Sequence, residues 1–323
     1  MILSSTRFYK TRSLFLQIPN LFNMTDFRFA GHETFHCRQQ WLYKGLNHFI
    51  RTSKYDTVPN DETIIRLGVG ANMVKSISHW LKAYNIIDAN SKEFRMTPEA
   101  KVIFGGTTIN GLDQYLEDEG TLWLLHYMLC STKFASIYHL IFGDYVLEKA
   151  TNTFTEDRIL RFLTKQHNKT SKLNLNNNTL KSDIKVFLNT YFVDVKSNVK
   201  SLDDDYNAPL VALGIISRLE NDDSEKTYVI NRGIHLNIPT PIIAYCILKY
   251  SDDNHKRNIS FDEYSQNIGV YFTLTVEGAE LALERVTKKF PNLVNYSNNA
   301  GIKEIQIKDG IDTISILEGY YND

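Results

Sequence analysis

The chain has 323 residues, 43% hydrophobic and 23% charged, which are ordinary globular values and enough to bury at least one good core. With 36 Lys and Arg against 37 Asp and Glu the net charge is −1, which excludes a uniformly basic coat for nucleic acid and leaves only local positive patches. No apolar run nears the roughly 20 residues that span a bilayer. The distant cysteines Cys37, Cys130 and Cys246, with no CxxC pair, argue against a disulfide framework or a thiolate zinc site and for a reducing, cytoplasmic setting.

Residues 1–25 read as a disordered or mis-started extension, because Arg7, Lys10 and Arg12 face no acid, Pro19 breaks the apolar stretch, and Met24 offers a second start. An N-terminal unit is expected over residues 26–108. Gln39–Arg51 sets Trp41, Leu42, Leu46 and Phe49 or Ile50 at helical spacing. Asp61 is placed to cap a short helix, Glu62–Leu67, and Gly68-Val69-Gly70 makes a tight turn. Ala71–Tyr84 follows as an amphipathic helix burying Met73, Val74, Ile77, Leu81 and Tyr84.

Ile86-Ile87 and Phe94-Arg95-Met96 are short strand signals around the polar link Asn90-Ser91-Lys92. Thr97 then caps a helix with Pro98 at its first position. This order is that of a winged helix-turn-helix, whose second helix fits a major groove about 12 Å wide while the wing touches backbone. Asn72, Lys75, Ser76 and His79 are expected on the face opposite the apolar stripe, with Lys92 in the wing, all within reach of double-stranded DNA. A merely solvated face, or a protein-binding winged helix, is the alternative.

Residues 109–235 are expected to form a helical core with a second basic unit. Thr121–Cys130 is apolar almost all round and reads as the buried central helix. Glu117-Asp118-Glu119 before it suits the helix dipole better than a metal cluster. Arg158, Arg161, Lys165, Lys169, Lys172, Lys181, Lys185, Lys196 and Lys200 outnumber the acids Glu156, Asp157, Asp183 and Asp194, and the sign then reverses through Asp203, Asp204, Asp205, Glu220, Asp222, Asp223 and Glu225. Helices Glu156–Gln166 and Thr179–Tyr191, an Asn-rich link (Asn174–Asn178), Pro209–Ile216 and Tyr228-Val229-Ile230 suggest a second helix-turn-helix-like unit. Arg158, Arg161, Lys165, Lys181 and Lys185 are its phosphate-contact candidates; solvated faces are the alternative.

Residues 236–323 predict a C-terminal helical and winged unit. Its helices are Pro239–Lys249, Ser260–Ile268 and Thr275–Phe290, its strands Val294–Tyr296 and Lys303–Ile307, and Ile311–Tyr321 is a docking helix. The fold class is therefore mainly α with small β-wings, with winged helix-turn-helix-like units around a buried central helix.

The sharpest local pattern is Gly31-His32-Glu33-Thr34-Phe35-His36-Cys37-Arg38. Read literally, His32-Glu33-x-x-His36 is the zinc-hydrolase spacing, in which two histidines share a helix face and the glutamate activates water. No apolar helical run leads into it and no third ligand stands nearby. The other reading is a polar constellation in which His32 exchanges a proton or binds phosphate, Arg38 clamps a phosphate and Glu33 orients either neighbour. A structural network, with Glu33 paired to Arg38 and His32 capping a helix, serves equally well. Gly68-Val69-Gly70 lacks the Lys and Ser/Thr of a phosphate-cradling loop, and no Ser-His-Asp order or paired-carboxylate nuclease pattern stands out.

The runs Phe29-Ala30-Gly31-His32-Glu33-Thr34-Phe35, Arg38, Trp41-Leu42-Tyr43-Lys44-Gly45 and Arg66-Leu67-Gly68-Val69-Gly70-Ala71-Asn72-Met73-Val74 resemble the SspB-like family. So do Tyr115-Leu116-Glu117-Asp118 and Gly120-Thr121-Leu122-Trp123-Leu124-Leu125-His126. The resemblance is clearest from Asp26 to Phe142. It implies a DNA-binding, strand-nicking component of a bacterial DNA phosphorothioation gene cluster, in which sulfur replaces a non-bridging backbone oxygen. The implied partners are a cysteine desulfurase, an ATPase and an ATP-pyrophosphatase-like sulfur-transfer enzyme. Position 36 need not be histidine in this family pattern. Nicking must stabilise a pentacoordinate phosphorus, either through a divalent metal such as Mg²⁺ or Mn²⁺ or through cationic side chains, and His32, Glu33 and Arg38 are the catalytic candidates on the signature. A non-enzymatic winged-helix protein that binds DNA or recruits partners is the alternative.

Overall fold

The computed structural model describes residues 27–52, 59–91, 93–106, 110–170 (170 by backbone only), 176–194, 208–220, 225–299, 301–308, 310 and 312–322. The expected extension over residues 1–25, Lys92, Lys172, Asn174 and Leu175 of the link, Lys196, Lys200, Asp203, Asp204, Asp205, Asp222, Asp223 and Ile311 lie outside the described residues.

The periodicity of the first helix is realised directly: α1 (Gln39–Thr52) buries Trp41, Leu42, Leu46 and Phe49 on one face. The short α2 (Asp61–Leu67) starts one residue earlier than expected. Its cap is Asn60, whose side chain accepts the Thr63 N–H at 2.8 Å, and Asp61 instead enters the first turn, where its charge suits the dipole. Gly68 ends α2 in the left-handed conformation (φ 61°), and α3 (Ala71–Ala83) follows at once from Gly70. Beyond it, Ile87 and Met96 pair antiparallel, flanked by Asp88 N–H to Arg95 O (2.9 Å) and Thr97 N–H to Ile86 O (3.1 Å). Thr97 then caps α4 (Pro98–Phe104), accepting the Ala100 N–H at 3.2 Å.

Helix α5 (Glu119–Ser131) is capped by Asp118 through the Thr121 N–H at 2.9 Å and buries every residue from Gly120 to Cys130. It is the central helix that its all-round apolar sequence implies. Against it run α6 (Ser136–His139), a π-helical stretch (Leu140–Tyr145) and α7 (Val146–Lys149) without a break. Helices α8 (Glu156–Thr170) and α9 (Asn177–Tyr191) pack on each other. A small antiparallel sheet, in the order β1 (Thr153–Phe154), β3 (Tyr228–Ile230), β2 (Ile216–Arg218), is centred on Val229, which faces both Thr153 and Ser217.

The remaining chain builds α10 (Thr240–Asn254), the short α11 (Phe261–Tyr264) with a π-helical turn after it, α12 (Val276–Lys289) and α13 (Thr313–Asn322). A second antiparallel sheet runs β4 (Asn258–Ser260), β6 (Ile302–Ile307), β5 (Val294–Asn299). The described residues are thus mainly helical with two small sheets. Buried apolar side chains from Cys37 to Leu317 form one contiguous cluster.

His126 sits at its centre, with Nε2 donating to the Tyr271 carbonyl at 2.5 Å and Nδ1 accepting from the Tyr191 hydroxyl at 2.8 Å. Burial pulls its pKa down to about 3, so a neutral ring ties three segments together. At one end of α5, α13 closes over the helix start. Tyr320 donates to the capping carboxylate of Asp118 at 2.7 Å, and Tyr321 shares a hydrogen bond with Thr121 at 2.7 Å. Among the described residues no helix is long and apolar enough to cross a membrane.

Candidate nucleic-acid interface

The loop ahead of α1 carries the densest backbone strain among the described residues. Ala30 (φ 66°), Gly31 (93°), Glu33 (50°) and Thr34 (68°) all lie in left-handed territory. Each non-glycine residue there costs on the order of 1 kcal/mol, so something must hold the loop. The clamp is Asp183 of α9. Its two carboxylate oxygens each take the Ala30 N–H at 3.1 Å, and one also receives His32 Nε2. His32 Nδ1 accepts the Thr34 N–H at 3.1 Å, which fixes the proton on Nε2, facing Asp183. The Trp80 indole N–H adds a bond to the Phe35 carbonyl at 3.1 Å.

His79 of α3 packs against the same loop, its ring 5.9 Å from that of His32. A methyl group on Gly31 would stand 2.7 Å from His79 Nδ1, so this approach needs glycine. Burial, and then electrostatic repulsion from the His32 side, Arg28 and Lys82, pull the pKa of His79 down to about 3 and leave it neutral.

These contacts separate the three residues proposed for chemistry. His32 is 5% exposed and committed to Asp183. Arg38 lies over the Trp41 ring, 5.4 Å from its centroid. Glu33 is half-buried and, among the described residues, has no ion pair or side-chain hydrogen bond, so the expected Glu33–Arg38 pair does not form. His32 caps no helix. The zinc spacing fails on geometry: residues 32–35 form a turn, α1 begins only at Gln39, and His32 and His36 share no helix face. Among the described residues no three His, Cys, Asp or Glu side chains converge to hold a metal ion.

Of the four α3 residues expected to face outward, Asn72 and Lys75 do and Ser76 and His79 do not, the latter two being 0% and 5% exposed. A single apolar stripe was the wrong assumption. Helix α1 packs on one side of α3, while the His32 loop and Phe134 cover another, leaving only the N-terminal turns open. Gly70 caps α3 without a side chain, so its first N–H groups are open as well.

Beside this end lies a cleft of about 730 Å³ between the outer face of α1, the end of α2 and the 113–117 turn. Lys44 and Arg51 line it from α1 and Arg66 from α2, together with Tyr43, Tyr115 and Glu117. Arg66 pairs with Glu62 at 3.0 Å, both exposed, an interaction worth little. Lys44 and Arg51 have no ion pair among the described residues. The sequence reading missed this cleft, although Gln40, Lys44, Asn47 and Arg51 already trace a polar stripe at helical spacing opposite the buried one.

Arg158, Arg161, Lys165, Lys181 and Lys185 are all exposed on α8 and α9. Arg161, Lys165 and Lys169 line a shallow groove of about 590 Å³ with Asn168 and Asn177. Lys165 is partly committed: with Lys149 it grips Glu148 at 3.0 Å, and the two hydrogen bonds pull the Glu148 carboxyl down to about 2. Asp183, on the same helix as Lys181 and Lys185, is turned inward and offsets none of the outer charge.

The family model described as "Protein of unknown function (DUF4007)" matches residues 29–321. The curated proteins contain no match. Among solved structures, one described as "Magnesium ion-bound SspB crystal structure" superposes with a TM-score of 0.77 at 23% identity, covering 91% of this chain and 88% of that one. Another, described as "SspB crystal structure", gives 0.74 at 23% identity with the same coverage. The fold is therefore SspB-like.

Proposed function

This chain belongs to the family described as "Protein of unknown function (DUF4007)", and from that footing and its SspB-like fold we propose that it is the DNA-binding component of a bacterial backbone phosphorothioation system, acting on duplex DNA in the cytoplasm. One observation carries the reading. Lys44, Arg51 and Arg66 stand exposed along one cleft, Lys44 within reach of the Gly68 turn that leads into α3, and Lys75 is exposed on α3 itself, in a chain whose net charge is −1. Concentrated positive charge beside unpaired helix N–H groups is what phosphate contact requires.

In this reading α2, the glycine turn and α3 act as a helix-turn-helix within a unit of residues 26–108, and the Ile87–Met96 pairing acts as its wing. Asn72 and Lys75 approach the groove; Ser76 and His79 stay in the core. Arg158, Arg161, Lys165, Lys181 and Lys185 supply a second phosphate-contacting face within residues 109–235, and residues 236–323 form the third unit. A cysteine desulfurase, an ATPase and an ATP-pyrophosphatase-like enzyme are the partners.

Nicking is the further part of the proposal. Glu33, which has no side-chain partner among the described residues, takes the proton of the attacking water as the P–O bond to one strand end breaks and that oxygen takes its proton from solvent, with His32 positioning the loop and Arg38 contacting phosphate. A magnesium ion belongs to the description of one similar structure. The described residues here offer no cluster that fits one, and no step is assigned to it. A non-enzymatic binding module is the second reading, favoured by the engagement of His32 with Asp183 and of Arg38 with Trp41.

Supercoiled plasmid, incubated with the protein in Mg²⁺, Mn²⁺ or EDTA, tests all of this. A salt-sensitive gel shift with conversion to open circle, lost in Glu33→Ala, is the expected outcome. A shift without conversion assigns the binding module instead. No shift at low salt overturns the DNA-binding reading.

A further inference from the structure

The cleft beside α3 is more than a charged surface, because its aromatic wall is as deliberately placed as its basic one. Tyr115 is 57% exposed although the turn that carries it is tightly fixed. The turn is locked from below: the Asp113 carboxylate accepts the N–H groups of Glu117 and Asp118 at 2.8 and 3.1 Å, and Leu116 is buried with φ 60°. From the side, the Gln39 amide donates to the Tyr115 carbonyl at 2.9 Å. Tyr43 buttresses the ring edge-to-face, with centroids 5.5 Å apart. One flat aromatic face is thus held half in solvent while three cations, Lys44, Arg51 and Arg66, line the cleft it borders.

We propose that this cleft binds a single unstacked nucleotide of DNA, with its base on Tyr115 and its phosphate between Lys44, Arg51 and Arg66. The volume of about 730 Å³ lies in the range of small-molecule sites and admits one nucleotide but no stacked duplex. An aromatic platform flanked by basic side chains is the arrangement that holds unpaired bases with little sequence preference. Glu117, on the same turn as Tyr115, repels phosphate and so favours a nucleotide with its backbone toward the cations of α1 and α2 and its base toward the turn. Enzymes that act on a base gain access by taking its nucleotide out of the stack, and this cleft would receive one so displaced.

The inference rests on the DNA-binding reading, and the test separates the two. Two fluorescein-labelled 20-mer duplexes, one fully paired and one with a central unpaired adenosine replaced by 2-aminopurine, are titrated with the full chain by anisotropy and by 2-aminopurine emission. The expected result is tighter binding of the unpaired duplex and a changed 2-aminopurine signal. Tyr115→Ala should lower the affinity for that duplex about tenfold, Tyr115→Phe should retain it, and both should leave the fully paired duplex unaffected. Lys44→Ala should weaken both. A fully paired duplex that binds as well as the unpaired one overturns the nucleotide cleft and leaves DNA binding standing. A preference that survives Tyr115→Ala, in a variant whose thermal midpoint is unchanged, overturns the assignment to this cleft. Failure to bind either duplex overturns both readings.

Discussion

Asp183 on α9 reaches across 151 positions of sequence to hold His32 in the loop ahead of α1, and the same carboxylate takes the Ala30 N–H with both oxygens. One acid therefore maintains a loop in which Ala30, Glu33 and Thr34, none of them glycine, are left-handed. Asp183→Ala leaves the buried His32 N–H and the Ala30 N–H unsatisfied and is expected to cost about 3 kcal/mol. Asp183→Asn keeps an acceptor and should cost less. Urea unfolding of the three proteins checks the order; an Asp183→Ala variant as stable as wild type would show that the clamp is not holding the loop.

Gly31→Ala meets the same loop from the other side. Its φ of 93° suits glycine, and the new methyl would press on the buried His79 ring at 2.7 Å. A loss of about 2 kcal/mol is expected from backbone strain and the displaced ring. The comparison that isolates the cause is Gly70→Ala, where a methyl meets open space and φ is negative; its unfolding midpoint should stay within about 0.5 kcal/mol of wild type.

The two basic faces differ in what they predict for salt dependence. Each cation that neutralises a phosphate adds about 0.9 to the slope of log affinity against log salt. Replacing Lys44 and Arg51 with alanine should lower the slope by about 2 if both touch phosphate. Arg161→Ala with Lys185→Ala should do the same if α8 and α9 lie on the duplex. An unchanged slope in either pair removes that face from the interface.

Acid should destabilise the protein well before its carboxylates titrate. Burial holds His79, His126 and His139 at about 3 in the folded state, below the ordinary 6.5. His32, Arg28 and Lys82 add to the effect at His79 and Lys133 at His139, while the Tyr271 carbonyl opposes it at His126. Between those values the unfolded chain carries protons that the folded chain refuses, so the stabilisation present above pH 6.5 is lost as pH falls toward 3. By pH 5 the loss is about 2 kcal/mol per histidine. Urea midpoints at pH 7.5, 6 and 5 read it directly, and equal midpoints would contradict the buried, neutral assignment.

Much of the fold was legible because several helices announced themselves locally, although the helical run from Ser136 to Lys149 carried no such mark. Thr97-Pro98 marks the start of α4, the all-round apolar run marks α5, and Gly68-Val69-Gly70 marks the turn into α3. The site was less legible because its contacts are long-range. Nothing near His32 names Asp183, and a helix wheel for α3 cannot show that a loop and Phe134 cover the face carrying Ser76 and His79. The α1 stripe of Lys44 and Arg51 was visible as spacing, but only its juxtaposition with Arg66 and the Tyr115 turn makes it a cleft.

The hydroxyls of Tyr320 and Tyr321 that seal the start of α5 are contributed from 202 and 200 positions downstream. During synthesis, the central helix must therefore wait for α13 to leave the ribosome before its Asp118 cap is covered, and until then that end stays wet. Nascent chains halted before residue 313 should be cleaved by protease near residues 113–121, and chains extended past residue 322 should resist.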